Sequence, residues 1–173
     1  MKLIVMTQPT FFVEEDKILT SLFEEGLDCL HLYKPGSAPM YAERLLTLLS
    51  DEYYSQIVVH EHFYLKEEYK LRGIHLDAKD TPIPNGYKGR VSRSCTQLEA
   101  LKETKRQSDY VFLKNIFDSQ TVPEDKSSFT ANQLEEAARR GLIDRHVYAL
   151  GGMSLDNLRI AKDLGFGGVV ICG

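Results

Sequence analysis

Val147-Tyr148-Ala149-Leu150-Gly151-Gly152-Met153-Ser154-Leu155-Asp156-Asn157-Leu158-Arg159-Ile160-Ala161-Lys162-Asp163-Leu164-Gly165-Phe166-Gly167-Gly168-Val169-Val170-Ile171 reads as a strand, a helix and a second strand. Val147–Leu150 is a short apolar run, broken by Gly151-Gly152. Ser154 can cap a helix through Leu155, Leu158, Ala161 and Leu164, which recur on one face, and Gly165 stops it. Val169–Ile171 is the next apolar run. Such a unit joins parallel strands through a helical crossover.

Working back towards the N-terminus, the same unit recurs. Leu3–Met6 is a first strand, and residues 14–25 form a helix with Ile18, Leu19, Leu22 and Phe23 on one face, closed by Gly26. Cys29–Tyr33 is a second strand, followed by a helix over residues 40–50 through Tyr41, Leu45 and Leu48–Leu49. Ile57–His60, a short helix over Phe63–Lys70, and Gly73–Leu76 continue the alternation. Thr81, Pro82, Pro84, Asn85 and Gly86 leave room for at most a turn, so one unit is degenerate. Arg90–Ser92 is a fifth strand, and Thr96-Gln97-Leu98-Glu99 fits a capping box opening a helix to residue 106. Tyr110–Leu113 is a sixth strand, residues 118–129 a polar loop with Pro123, and Thr130-Ala131-Asn132-Gln133 a second capping box before a helix to Arg140.

Several of these strands are near-continuous apolar runs, the pattern of strands covered on both faces. Eight strands with intervening helices fit a closed barrel or a doubly wound open sheet. No Gly-x-Gly-x-x-Gly follows the first strand, which counts against a dinucleotide-binding open sheet. The expected class is therefore α/β, a (β/α)8 TIM barrel. Residues 1–173 are read as a single domain whose final helix is missing, because the sequence ends directly after its eighth strand. Barrels usually run to about 250 residues, so this one is expected to be either truncated or minimal.

Composition sets the outer bounds. Hydrophobic residues make up 43% and charged residues 27%, with a formal net charge of −4 and the two signs intermixed. A nucleic-acid binder would show a basic stripe instead. No run of about 18 apolar residues suggests a membrane span. Cys29, Cys95 and Cys172 are odd in number and widely spaced, which fits reduced thiols in a cytoplasmic protein.

Active sites of such barrels lie at the C-terminal ends of the strands, with phosphate often bound after strands seven and eight. Those ends carry Gly151-Gly152-Met153 before the Ser154 cap, and Cys172-Gly173. Glycines admit an anion close to the backbone, and helix N-terminal N–H groups point at it. Strand two ends in His31-Leu32-Tyr33-Lys34, strand three in His60-Glu61-His62, and strand four in His75-Leu76-Asp77 with Asp80 beyond. His60, Glu61 and His62 are adjacent and cannot all converge from one strand. Glu61 with Asp80 is the better pair for Mg²⁺, which binds phosphates through one or two carboxylates. His75 lies one residue before its strand end and can simply fill the barrel. Ser119-Gln120-Thr121, after strand six, is either a diphosphate-binding loop or a solvated polar one.

In order and spacing these segments resemble the thiamine phosphate synthase family and its relative, the thiazole tautomerase. Leu30-His31-Leu32-Tyr33-Lys34 stands where the family has Gln-Leu-Arg-Glu-Lys, and Ile57–His62 where it has Ile-Ile-Asn-Asp-Arg. Gly73-Ile74-His75-Leu76 is similar to Gly-Val-His-Leu, with Asp80 on the acidic position beyond, and Val91–Glu99 is similar to the fifth-strand segment and its helix. Ala149-Leu150-Gly151-Gly152-Met153 matches the family's glycine turn, and Gly165–Val170 its Gly-Ala-Asp-Gly-Val-Ala. The departures cluster at the site. His31 replaces a Gln, Tyr33 an Arg, His60 an Asn and Glu61 an Asp, and Val122 follows Ser119-Gln120-Thr121 where the family has a Lys. The Arg and the Lys contact pyrophosphate in the family, and charge-assisted contacts of that kind are about twice as strong as neutral ones. Thr96 stands where the tautomerase has a His.

The resemblance implies a cytoplasmic transferase of thiamine biosynthesis that joins a pyrimidine diphosphate to a thiazole phosphate and releases pyrophosphate. It places His31, Tyr33 and His60 in the catalytic set. Gly151, Gly152, Cys172 and Gly173 would take the thiazole phosphate, and Ser94, Ser119 and Thr121 the diphosphate. Glu61 and Asp80 would take Mg²⁺ as cofactor, and Lys34, Arg93 or Lys114 could supply the missing positive charge. The expected partners are the two phosphorylated small molecules, with no nucleic acid and no membrane, and a homodimer is left open. Two rivals remain: a metal-free thiazole tautomerase-like isomerase using His31, His60 or His62 as base, and a non-catalytic barrel that binds a phosphorylated ligand.

Overall fold

Eight parallel strands hydrogen-bond in sequence order and close on themselves in the computed structural model, which describes residues 1–116, 129–152 and 154–172. They are β1 (Lys2–Met6), β2 (Cys29–Leu32), β3 (Ile57–Val59), β4 (Gly73–Leu76), β5 (Arg90–Cys95), β6 (Tyr110–Lys114), β7 (Val147–Leu150) and β8 (Gly168–Cys172). The helices are α1 (Glu15–Glu24), α2 (Pro39–Leu48), α3 (Leu65–Tyr69), α4 (Leu101–Arg106), α5 (Ala131–Arg139) and α6 (Leu155–Leu164). No helix of the described residues is long and apolar enough to cross a membrane. Every residue of β2, β3, β4 and β7 is buried. That burial is why these strands read as near-continuous apolar runs rather than as alternating ones, with His31 and His75 the polar residues among them.

Contacts divide the chain into two units. One is chiefly Ile4–His75 with Ile83–Arg90. There β2 pairs with β1 and β3, setting His31 against Met6 and Val58. Leu46 of α2 and Leu65 of α3 are fully buried, as are Leu30, Ile57 and Ile74 of the strands. A 3-10 turn over Asp51–Gln56, which the sequence pattern does not announce, leads into β3. It is fixed by aromatic packing: Tyr53 stacks on Phe23 with centroids 4.5 Å apart, and the Tyr54 hydroxyl donates to the Leu46 carbonyl at 2.6 Å.

The second unit comprises Met1–Leu3, Leu76–Pro82 and the described part of Val91–Ile171. Alternate residues of its strands, among them Cys95, Val111, Leu113, Val147, Ala149 and Val169, pack with Leu101, Leu134 and Ala161 of the helices into one apolar core. The Thr130 capping box forms in full, with Thr130 Oγ1 accepting from the Gln133 N–H and Gln133 Oε1 from the Thr130 N–H. Ser154 Oγ accepts from the Asn157 N–H, and Gly165 ends α6 in the left-handed region at φ 92°. Gly167 has a packing reason: a Cβ there would lie 1.8 Å from the Arg145 carbonyl oxygen.

The expected capping box at Thr96 does not form. β5 runs on to Cys95, whose thiol donates to the Gln97 carbonyl at 2.9 Å. A 3-10 turn over Leu98–Ala100 follows, and α4 opens at Leu101 with no side-chain cap.

Candidate functional site

Three histidines meet in the first unit. His31 lies on β2, His60 follows β3 and His75 lies on β4. Pairing sets His31 beside Val58 and Val58 beside Gly73. His60 and His75 are each two residues beyond those partners, and residues two apart on a strand share a face. The result is a buried cluster. His31 Nδ1 lies 2.8 Å from His60 Nε2, the His60 and His75 rings stack at 4.2 Å and 21°, and the His31 ring stands edge-on to both. Burial, then the neighbouring His60, His75 and Arg72, hold the His31 imidazole well below the usual histidine range, so it is neutral at pH 7. The Tyr33 ring stands edge-on to His60 at 5.4 Å, and its backbone exchanges hydrogen bonds with the buried Thr7 hydroxyl.

Glu61 and His62 address the loop after β2. Both carboxylate oxygens of Glu61 lie within hydrogen-bond reach of the Gly36 N–H, at 3.2 and 3.3 Å, and His62 Nε2 lies 2.8 Å from the Ser37 carbonyl. His60 is thus separated from Glu61, as alternation predicts, and from His62 because the chain has left β3 at Val59 and His62 adopts φ 54°. Lys34 is engaged elsewhere. Its ammonium donates to Glu15 Oε2 at 2.6 Å and to the Gln8 and Thr10 carbonyls, 4.7 Å from the centre of the Phe11 ring.

In the second unit the Ser94 hydroxyl donates to Asp77 Oδ1 at 2.7 Å, and Lys114 Nζ lies 3.5 Å from the same oxygen. Asp77 thus joins the diphosphate candidate Ser94, a role the sequence reading did not give it. The signal was its position at the end of the fourth strand. Asp80 is exposed and lines a cavity of about 220 Å³ with Lys79, Arg93 and Ser94. Arg93 is buried beside it and donates through Nη1 to the Thr81 carbonyl at 3.2 Å, while its Nε has no hydrogen-bond partner.

The turn after β7 has Gly151 at φ 116° and Gly152 at φ 61°, both in the region that favours glycine. A Cβ on Gly151 would also press on the Asn115 backbone at 3.2 Å. The Asn157 amide donates to the Gly152 carbonyl, tying the turn to the first turn of α6. Cys172 is exposed at the end of β8. Ser119, Thr121 and Gly173 lie outside the described residues.

With this geometry in place, a family model described as thiamine monophosphate synthase matches residues 6–173. The chain belongs to that family. A thiamine-phosphate synthase from Limosilactobacillus reuteri (strain DSM 20016) is 23% identical over 134 residues, 73% of this chain and 61% of that protein. The chain therefore matches about three fifths of the length of that curated relative. The crystal structure of thiamine phosphate pyrophosphorylase from Bacteroides thetaiotaomicron superposes with a TM-score of 0.88 at 54% identity, covering 100% of this chain and 83% of that one. A thiamine phosphate pyrophosphorylase from Pyrococcus furiosus, 21% identical, superposes with a TM-score of 0.73 over 99% of this chain and 85% of that one. That distant likeness bears on the fold alone, and it agrees with the barrel read from the sequence.

Proposed function

We propose that the chain is a thiamine phosphate synthase: it joins a pyrimidine diphosphate to a thiazole phosphate and releases pyrophosphate. The observation that carries the reading is the Gly151-Gly152 turn leading into the capped helix α6, in a chain of the thiamine monophosphate synthase family. Two successive left-handed glycines ahead of a helix N-terminus offer backbone N–H groups to a phosphate.

Gly151, Gly152, Cys172 and Gly173 hold the thiazole phosphate. Ser94, Ser119 and Thr121 donate hydroxyls to the diphosphate, and the Asp77 contact orients Ser94. Tyr33 and His60 face the pyrimidine, and the fully buried His31 positions the His60 ring from behind. The C–O bond to the diphosphate breaks with both electrons leaving on oxygen, and the thiazole nitrogen then supplies the pair for the new C–N bond. Stabilising the departing charge is the main task of such a site. With Lys34 held by Glu15, the positive charge falls to Arg93 and Lys114.

Mg²⁺ is the proposed cofactor, with Glu61 and Asp80 as its ligands and the cytoplasm as the place of action. The donor set fits, because carboxylate oxygens suit a hard cation, and a carboxylate such as Glu61, bonded to one N–H, keeps lone pairs to spare. Bound there, Mg²⁺ would neutralise charge on the leaving diphosphate.

The test is direct: supply both substrates with Mg²⁺ and measure thiamine phosphate and pyrophosphate by chromatography. Stoichiometric formation of both supports the reading. Thiazole phosphate isomerisation without Mg²⁺, and no coupling, would favour the isomerase. Binding of thiazole phosphate without any turnover would leave the binding barrel.

A further inference from the structure

We propose that His31, His60 and His75 form a site for a borderline divalent transition metal of the Zn²⁺, Co²⁺ or Ni²⁺ class, held by three imidazole nitrogens with a fourth position open. One ring nitrogen from each histidine lies within 4.8 Å of the others. Among the described residues, this is the cluster of three or more metal-ligating side chains with that spacing.

The geometry is near what such a metal needs. Tetrahedral zinc with Zn–N of about 2.0–2.1 Å sets ligating nitrogens about 3.3 Å apart and imidazole centres about 5 Å apart. Two of the three ring separations already match, His31–His60 at 5.0 Å and His31–His75 at 5.3 Å. Only the stacked pair, His60–His75 at 4.2 Å, has to open. The His31 Nδ1 and His60 Nε2 atoms, 2.8 Å apart, would separate by about half an ångström as the metal replaces their shared proton.

Placement favours coordination further. His31 and His75 are fully buried and His60 is 7% exposed, so the three side chains are held in place by the packed interior, with His60 the one that reaches solvent. Three protein ligands with one open position is the arrangement of catalytic rather than structural zinc sites. Neutral imidazole donors prefer Zn²⁺, Co²⁺ and Ni²⁺ over Mg²⁺, which takes oxygen. The site is therefore distinct in chemistry from the carboxylates Glu61 and Asp80, and the inference does not rest on the synthase reading.

The experiment titrates the full chain, first stripped with chelator, with Co²⁺ in the presence of excess Mg²⁺. One equivalent should bind, with the intense visible bands of four-coordinate Co²⁺. X-ray absorption on the zinc-loaded wild type should count three imidazole scatterers at about 2.0 Å. His31→Gln and His75→Gln should each weaken Co²⁺ at least tenfold, whereas Glu61→Gln should bind as the wild type does. No stoichiometric Co²⁺ binding by the wild type would overturn the proposal. So would fewer than three imidazoles in the absorption spectrum, a measurement that needs no variant to fold. Loss of Co²⁺ on Glu61→Gln with retention in both histidine variants would also overturn it, by assigning the metal to the carboxylate.

Discussion

Lys34 and Glu15 form an ion pair of 2.6 Å in which each side chain is only 3% exposed. Two charges removed from water cost several kcal/mol each, and their attraction offsets this only when the remaining donors are also satisfied. Lys34 meets that condition, since its other donors reach the Gln8 and Thr10 carbonyls, whereas Glu15 Oε1 is buried without a hydrogen-bond partner. The pair therefore ties the loop after β1 to the end of β2 and removes Lys34 from the cations available to a diphosphate.

Breaking this pair from one side should be severe. Glu15→Ala leaves a buried ammonium uncompensated and is expected to cost about 3–5 kcal/mol. The double variant Glu15→Leu with Lys34→Met should recover most of that loss, because an apolar pair of similar volume is often neutral or stabilising. Urea denaturation of the three proteins checks this; equal stability of the single and double variants would contradict it.

A second expectation concerns acid stability. The folded-state affinity of His31 for a proton is depressed by burial and by His60, His75 and Arg72. The unfolded chain takes up that proton near pH 6.5. Stability contributed by His31 is therefore present above that pH and is lost as the pH falls through it, with a slope that approaches one proton's worth only well below pH 6.5. Chelator-treated wild type should lose stability between about pH 6.5 and 5.5, and His31→Gln should flatten that loss by the fraction of a proton that the unfolded imidazole takes up there. An unchanged slope would mean that His31 is not the group responsible.

Two capping patterns make a matched control. Thr130→Ala removes a hydroxyl that accepts from the Gln133 N–H and should cost about 1 kcal/mol. Thr96→Ala removes no such bond, since α4 has no side-chain cap, and should fall within about 0.5 kcal/mol of the wild type. Thermal denaturation under identical conditions distinguishes the two.

That contrast marks how far the sequence could be read. Both segments carry the same local signal, a threonine followed three residues later by Gln or Glu. At Thr130 the cap forms; at Thr96 the chain is leaving β5, and the strand extends to Cys95 instead. Near-continuous apolar runs announced β2, β3, β4 and β7, because both sides of the barrel wall are covered there. The separation of His60 from Glu61 followed from strand alternation, but that of His60 from His62 did not: the chain leaves β3 at Val59 and His62 sits at φ 54°. His75 was harder to place, since joining it to His31 and His60 requires the pairing of Val58 with Gly73, which one strand's pattern does not contain. The engagement of Lys34 was equally hidden, because Glu15 lies 19 residues earlier and reads as one of several acids opening a helix.

The turn after β7 should discriminate phosphate from the rest of the ligand. Gly152 sits at φ 61°, where a side chain costs roughly 1–2 kcal/mol. Gly152→Val should therefore lower stability modestly but weaken thiazole phosphate binding much more, while the dephosphorylated thiazole is affected little. Calorimetric titration of both ligands measures this, and equal losses for the two would remove the phosphate from this turn.

Glu61 offers a test that separates charge from hydrogen bonding. Its carboxylate accepts from the Gly36 N–H, and glutamine keeps an acceptor oxygen there while losing the negative charge. Glu61→Gln should thus leave the loop after β2 in place and preserve thiazole phosphate affinity. Mg²⁺ is held by few carboxylates together with substrate phosphates. Its binding is therefore expected only when a diphosphate is present, and it should fall at least tenfold in Glu61→Gln and in Asp80→Ala. Titrating Mg²⁺ into each protein with a non-hydrolysable pyrimidine diphosphate reads this directly. Should the wild type take up no Mg²⁺ with the diphosphate bound, or should both variants match it, these carboxylates are not the magnesium ligands and the metal-free isomerase becomes the better reading.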